Sequence, residues 1–347
     1  MDGSSQEVAT AGPYRVLARK YRPQSFADLF GQEPMVRTLT NAFRSGRIAQ
    51  AYMLTGVRGV GKTTTARILA RALNYSLPGR IDRPTIDMEE LGEHCAAVME
   101  GRHIDVIEMD AASHTGIDDI REIIEASRYK PAVARYKVYI IDEVHMLSKQ
   151  AFNGLLKTLE EPPEHVKFIF ATTEVRKVPV TVLSRCQRFD LRRIEAGRLV
   201  ELMQGIAAKE GVAIDDEALV MIARAAEGSA RDSLSLLDQA IAHASGGVEA
   251  EAVRAMLGLA DRALVIDLFG DLMSGNIAAA LARIKDLYAV GADPAVVLED
   301  LAAFTHIVTR LKLAPSAVED DALTEEEKTK GADFAAKLSL RASARAW

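Results

Sequence analysis

Residues Gly56-Val57-Arg58-Gly59-Val60-Gly61-Lys62-Thr63 read G-x-x-x-x-G-K-T, between an apolar run at 52–55 and a helix-forming run at 64–73. Strand, glycine-rich loop and helix in that order form a phosphate-binding P-loop. Such a loop demands a parallel sheet, because its strand must be followed by a helix that crosses back over the sheet. The backbone N–H groups of 56–64, Thr64 included, then turn inward around phosphates, and the helix N-terminus adds the positive end of its dipole. Lys62 is placed for the β- and γ-phosphates, and the Thr63 hydroxyl for a Mg²⁺ position. The ligand class is a nucleoside triphosphate, here read as ATP, with Mg²⁺.

A second apolar run, 137–141, ends in Asp142-Glu143 and leads to His145. An apolar β-branched run suits a buried parallel strand, and ligands bind at the carboxyl ends of such strands. Asp142 is assigned to the metal and Glu143 to polarising the attacking water. His145 is read as orienting the loop. A third run, 167–173, ends in hydroxyls, with Thr173 at the position of a γ-phosphate sensor. A threonine there also serves as an ordinary turn residue. Arg185, in Ser184-Arg185-Cys186, and Arg231, in Gly228-Ser229-Ala230-Arg231-Asp232, complete the set.

Strands at 52–55, 105–109, 138–141, 168–172 and 188–191 alternate with helical segments up to about residue 195. The fold class expected is α/β: a P-loop parallel-sheet domain at 14–195. A helix over 117–129 buries Ile117, Ile120, Ile123 and Ile124 and stops before Pro131. From 196 the periodicity becomes helical, with apolar faces at Leu199, Leu202, Met203 and Ile206, at Ala218, Leu219, Ile222 and Ala223, and at Leu234, Leu237 and Ile241. These make a three-helix lid over 196–258. An all-α domain follows over 259–347, with 319–330 a charged loop or exposed helix. Residues 1–13 read as a disordered tail without the apolar core of a signal peptide. The helical composition of 334–347, without a stop signal, predicts a longer natural chain.

The 347 residues suffice for two or three domains. With 43 basic and 49 acidic residues the net charge is −6, which excludes a dedicated basic nucleic-acid domain and leaves local stripes. Two cysteines, Cys95 and Cys186, give no disulfide framework and suit the cytoplasm. No apolar run is long enough to span a membrane.

Taken together the motifs resemble the γ/τ subunits of the bacterial DNA polymerase III clamp loader, an AAA+ ATPase family. The resemblance runs from Tyr14-Arg15-Val16-Leu17-Ala18-Arg19-Lys20-Tyr21-Arg22-Pro23 and Phe30-Gly31-Gln32 through Asp110-Ala111-Ala112-Ser113. It continues with Asp142-Glu143-Val144-His145, Glu160-Glu161-Pro162-Pro163, Ser184-Arg185-Cys186 and Arg231-Asp232-Ser233. It implies an ATPase that opens a sliding clamp and loads it onto primer–template DNA, alongside δ, δ′ and further γ/τ copies. Thr173 would be sensor 1, Arg185 an arginine finger acting in trans, and Arg231 a sensor 2 reaching from the lid. Arg22, Pro23 and Gln32 would line the nucleotide-base side, and 259–347 would be a collar that holds subunits in a ring.

Two departures stand out. The family's zinc module carries four cysteines, and the matching positions here are Tyr75, Glu89, Gly92 and Cys95. With a single thiol left, no zinc is expected, and 76–93 becomes a loop or packed insertion. After Ser113 the family's basic residues give way to His114-Thr115-Gly116, leaving Arg121, Ser148 and Lys157 as candidate DNA-phosphate contacts. A competing reading is an AAA+ branch-migration or helicase motor. Another is an interaction protein with a dead ATPase site, which the intact Lys62, Asp142 and Glu143 disfavour.

Overall fold

A computed structural model describes residues 14–244, 246–257, 262–289, 292–314 and 325–346. The 1–13 tail and residues 319–324 of the charged segment lie outside them. The chain divides into two compact units, Met1–Arg198 with Gly228–Ser235, and Leu199–Glu227 with Leu236–Trp347.

In the first unit, α1 (Leu17–Lys20) and α2 (Glu33–Arg44) precede β1 (Ala51–Thr55) and α3 (Lys62–Leu73). Then come α4 (Cys95–Met99), β2 (Val106–Asp110), α5 (Ile117–Ser127), β3 (Lys137–Asp142) and α6 (Lys149–Glu160). β4 (Val166–Thr172), α7 (Val180–Leu183) and β5 (Gln187–Asp190) complete the sheet region. The five strands are all parallel, in the order β2-β3-β4-β1-β5.

Both faces of this sheet are covered, which is why its central strands are buried along their length and largely apolar rather than alternating. Every residue of β1 is buried. Tyr52 and Leu54 join a core with Leu39 of α2, Leu69 of α3 and Val98 of α4. Ala51 and Met53 point the other way, into a core with Ile120 of α5, Phe152 and Leu155 of α6, and Val182 of α7. Helices therefore sandwich the sheet, as crossover connections require. α5 ends at Ser127, before the expected 129. Asp105 lies just ahead of β2, and its carboxylate accepts the N–H groups of Ala132, Val133 and Ala134 at 2.7, 2.8 and 2.9 Å. Those bonds hold its pKa below the usual value despite burial.

α8 (Ala196–Glu210), α9 (Asp216–Ala225), α10 (Ala230–His243) and α11 (Ala250–Met256) follow. In the second unit, Leu199, Met203, Ala218, Leu219 and Ile222 are buried as their periodicity predicts. α12 (Arg262–Met273), α13 (Ile277–Ala289), α14 (Pro294–Leu313), α15 (Glu325–Lys337) and α16 (Leu340–Ala346) build its remainder. There Phe269, Phe304 and Phe334 meet edge-to-face, with centroids 5.1 to 6.1 Å apart. Over its described part, 325–330, the charged segment is helical, one of the two expected forms, but not wholly exposed. Within α15, Glu327 is only 2% exposed and lies 3.5 Å from the Arg224 guanidinium. A paired charge can be buried where an isolated one cannot.

Candidate nucleotide site

Strand order decides where the functional side chains meet. β4 lies between β1 and β3, so the carboxyl ends of these three neighbours carry the P-loop, Thr172-Thr173 and Asp142-Glu143 side by side. Registers Thr55↔Thr172 and Ile141↔Phe170 keep these ends level.

The loop is shaped by its glycines. Gly56 takes φ 149°, and a Cβ there would stand 2.7 Å from the Leu191 carbonyl oxygen. Gly59 takes φ 78°, and a Cβ there would fall 1.8 Å from Ser229 Oγ. α3 begins directly after Gly61. Lys62 is buried, and its ammonium donates to the carbonyls of Gly56 and Val57, each at 3.0 Å. Burial lowers its pKa, against the opposing pull of Glu143 and then Asp142. The Thr63 hydroxyl donates to Asp142 Oδ2 at 2.6 Å. Arg58 is exposed at the loop tip, Val60 is buried beneath it, and Thr64 is half-buried.

Glu143 sits in the left-handed region, φ 45°, a conformation that costs a non-glycine residue energy and re-aims its side chain. Its Oε2 accepts from the N–H and hydroxyl of Thr173 at 3.1 and 2.9 Å. The buried His145 ring stands at the same carboxylate, 3.4 Å away, and its Nδ1 is 3.0 Å from the Thr172 hydroxyl. Thr172 was not singled out by the sequence pattern. A strand-end hydroxyl carries no local sign that it will orient an imidazole.

Gly228–Ser235 belongs to this unit and lies against the loop. The Arg231 N–H donates to the Gly59 carbonyl at 3.2 Å, and the Ile194 N–H to that of Gly228 at 3.0 Å. The Arg231 side chain is exposed. Ser229, which abuts Gly59, has in the sequence only the pattern of an ordinary helix-start residue; its Oγ accepts from the Asp232 N–H at 3.1 Å.

The remaining sequence candidates are placed as follows. Arg22 is half-buried, and burial followed by the Arg67 charge lowers its pKa. Pro23 beside it is half-buried. The Gln32 carboxamide is given to main chain, donating to the Arg192 carbonyl at 2.9 Å and accepting its N–H at 3.0 Å. Arg185 reaches Glu160 at 2.6 Å and the Thr181 carbonyl at 2.6 Å. Arg121 pairs with Asp118 at 2.7 Å. The Ser148 Oγ caps α6 by accepting the Ala151 N–H at 3.2 Å, and its own N–H goes to the Thr115 carbonyl. Lys157 is exposed on α6.

The donor set suits a hard cation. A hydroxyl and a carboxylate converge at Thr63 and Asp142, both oxygen ligands of the kind Mg²⁺ takes. Backbone N–H groups at a helix start beside a buried lysine suit a polyphosphate. A P-loop at the switch point of a covered parallel sheet, with a flanking arginine-bearing segment at the loop, defines the class as an AAA+ fold.

Comparisons with known proteins place the chain within that class. The family model "DNA polymerase III, delta subunit" matches residues 31–195. "DNA polymerase III clamp loader subunit, ATPase lid domain" matches 198–246, and "DNA polymerase III subunits gamma and tau domain III" matches 248–347. The tau subunit of Escherichia coli K12 is 44% identical over 89% of this chain and 47% of its own length. The gamma subunit of Buchnera aphidicola subsp. Schizaphis graminum is 40% identical over 87% of this chain and 82% of its own. The chain belongs to the gamma/tau subunit family of DNA polymerase III. It spans about half the length of the tau relatives. The Thermotoga maritima RuvB Holliday junction branch migration motor is similar in fold alone, at TM-score 0.52 and 19% identity over 73% of this chain and 79% of that one.

Proposed function

We propose that this chain is an ATP-hydrolysing motor subunit of a clamp loader, opening a sliding clamp and placing it on primed DNA. The observation that carries the reading is the convergence of Lys62, Thr63, Asp142 and Glu143 at the carboxyl ends of adjacent strands, in a chain of this family. Thr63 and Asp142 would hold Mg²⁺, which would neutralise charge on the β- and γ-phosphates.

Lys62 exchanges its two carbonyl partners for phosphate oxygens. Burial depresses its pKa although Glu143 and Asp142 oppose the shift, and an anionic ligand would offset that desolvation further. Glu143 turns from Thr173 to a water positioned for attack and draws its proton as the water oxygen bonds to the γ-phosphorus, while the bond from that phosphorus to the β–γ bridging oxygen breaks and ADP leaves, with phosphate as the other product. Thr173, freed from that carboxylate, is then available to the γ-phosphate. This links the sensor threonine to the base through one hydrogen-bonded pair. Arg231 acts on the same nucleotide, supported by the bond between its own N–H and the P-loop.

Arg185 serves the nucleotide of a neighbouring subunit. Its pairing with Glu160 is partly exposed, at 32% and 50% side-chain exposure. Such a pair is worth about 0.2–1 kcal/mol, so it yields readily to a triphosphate. Hydrolysis thereby depends on assembly with δ, δ′ and further copies. ATP and ADP states differ in affinity for clamp and DNA, and that difference does the work.

The test is steady-state ATP hydrolysis with the partner subunits, with and without clamp and primed DNA. Strong stimulation by the two together is expected. ATP binding without stimulation, followed by processive unwinding of branched DNA, would replace the proposal with a helicase motor.

A further inference from the structure

The last turn of α3 carries a second buried cation, far along the helix from Lys62. Arg71 is 6% exposed. Its Nε donates to Cys95 Sγ at 2.9 Å, and Nη1 to the Gln24 carbonyl at 2.6 Å. Nη2 is shared by the carbonyls of Met88 and Glu90 at 3.1 and 3.4 Å. One guanidinium thus ties α3 to the N-terminal segment, the insertion after α3, and the first residue of α4.

The four positions where the family implies zinc ligands do not fit a metal. The Tyr75 hydroxyl is donated to the Glu90 carbonyl at 2.9 Å. Gly92 has no side chain, and a Cβ there would stand 2.7 Å from the Ser76 carbonyl oxygen and 3.0 Å from the Tyr75 ring. Glu89 is exposed. Only Cys95 offers a thiol, and Arg71 already holds it. The neighbouring histidines are spoken for as well. His103 Nδ1 accepts the Asp105 N–H at 3.0 Å, so its proton lies on Nε2 and is donated to His94 Nδ1, also at 3.0 Å. Among the described residues, no cluster of three or more histidine, cysteine or acidic side chains is disposed to hold a metal.

We infer that Arg71 is the structural cation of this insertion, and that the chain is metal-independent where relatives with the four-cysteine module would need zinc. A planar guanidinium is permanently charged and presents five donors in a rigid fork, so it can gather acceptors from several segments at once. A second arginine extends the arrangement. Arg135 donates to the Leu73 and Tyr75 carbonyls at 2.8 and 3.3 Å and pairs with Asp82 at 2.6 Å. The Leu73 carbonyl is one of those that α3 leaves without an intrahelical partner at its C-terminus, where a cation also meets the negative end of the helix dipole. The insertion is held by charge-assisted bonds to main chain, and Tyr75 fills the volume over Gly92.

The test uses the full chain, untagged. Its zinc content is measured by mass spectrometry, and its melting temperature with and without a strong chelator. Amide exchange across 85–93 and the thiol reactivity of Cys95 are then compared among the parent, Arg71→Lys and Arg71→Met, all in a Cys186→Ser background. Substoichiometric zinc and a chelator-insensitive melt are expected. Arg71→Met should lose most of the protection across 85–93 and expose Cys95, with reaction about tenfold faster or more. Arg71→Lys should fall between. Stoichiometric zinc with a chelator-lowered melt overturns the inference, as does a folded Arg71→Met chain with unchanged exchange. Should Arg71→Met fail to fold, the zinc and chelator measurements on the parent, with the graded response of Arg71→Lys, decide the matter.

Discussion

Lys62 and Arg71 stand at opposite ends of one helix, each 6% exposed, and they meet burial in opposite ways. Lys62 has two neutral carbonyl partners from its own loop. Arg71 has acceptors from three separate segments. A desolvated ammonium with few, exchangeable partners is poised to take a better one, whereas a guanidinium with its donors committed has no reason to move. On the function proposed above, the difference would separate a cation that takes up an anionic ligand from one that holds the chain together. Burial alone distinguishes neither.

The largest effect concerns a third cation, Arg185, exposed and held by one carboxylate and one main-chain carbonyl. Arg185→Ala should slow hydrolysis by about 10³–10⁵-fold in the adjacent subunit while leaving ATP binding in its own nearly intact. Mixed complexes with one altered subunit assign the defect, and a loss confined to the altered subunit's own site removes the trans role. Next, Lys62→Ala should weaken nucleotide affinity by about 10²–10⁴-fold, from two charge-assisted bonds of about 1.5–3 kcal/mol each. Titration with a fluorescent nucleotide reads this. The same variant should unfold no more easily than the parent, since it removes a cation that is costly to bury. Arg71→Met should do the reverse and lower stability by about 3 kcal/mol in denaturant unfolding. Equal destabilisation by the two variants would erase the contrast drawn between them.

A smaller effect is expected at the loop itself. Gly59→Ala must place a methyl on Ser229 at φ 78°, costing about 1–3 kcal/mol in thermal unfolding. A Ser229→Gly second change should recover only the steric part. Smallest is a pH effect. Lys167 is buried, donates to the Ala49 carbonyl and Gln50 Oε1 at 3.1 and 2.8 Å, and has its pKa lowered by burial from 10.5 to about 8. With the folded value below the unfolded one, the unfolded chain keeps a proton that the folded chain sheds. Stability therefore rises with pH from about 8 upward, by at most about 1.4 kcal/mol per pH unit. Above the ordinary thiol value of 9.0, Cys186 opposes this, because burial raises its pKa to about 12. Lys62 acts in the same direction as Lys167. Lys167→Met should flatten the rise between about pH 8 and 9 relative to the parent, and an unchanged slope assigns it elsewhere.

The parts of the site legible in the chain were those encoded by adjacent residues. The P-loop spacing and the acidic strand end at 142–143 state their chemistry within a few positions, and the strand runs place them at carboxyl ends. Residues that act through distant neighbours gave no such signal. Gln32 looks like a base-side contact in its motif, but its carboxamide is engaged with the Arg192 main chain. Ser148 and Arg121 remain candidate phosphate contacts by their place in the motif; here they make local bonds, a helix cap and an i,i+3 pair. The charged stretch ending at 330 reads as solvated, yet Glu327 is buried opposite Arg224. Charge patterning reports mean polarity, and a partner about a hundred residues away is invisible to it.

The order of residues is enough to specify a covered parallel sheet with a phosphate loop after its first strand. Local spacing suffices for that, because the loop's conformation depends on its own glycines and its flanking elements. Tertiary structure alone decided that β4 lies between β1 and β3, bringing Thr173 onto Glu143 and Thr63 onto Asp142. It also decided that Ser229 and Arg231 reach the loop and that Arg71 closes the insertion. These are meetings of groups far apart in the chain, set by strand order and by the need of buried donors to find acceptors. No window of residues contains them.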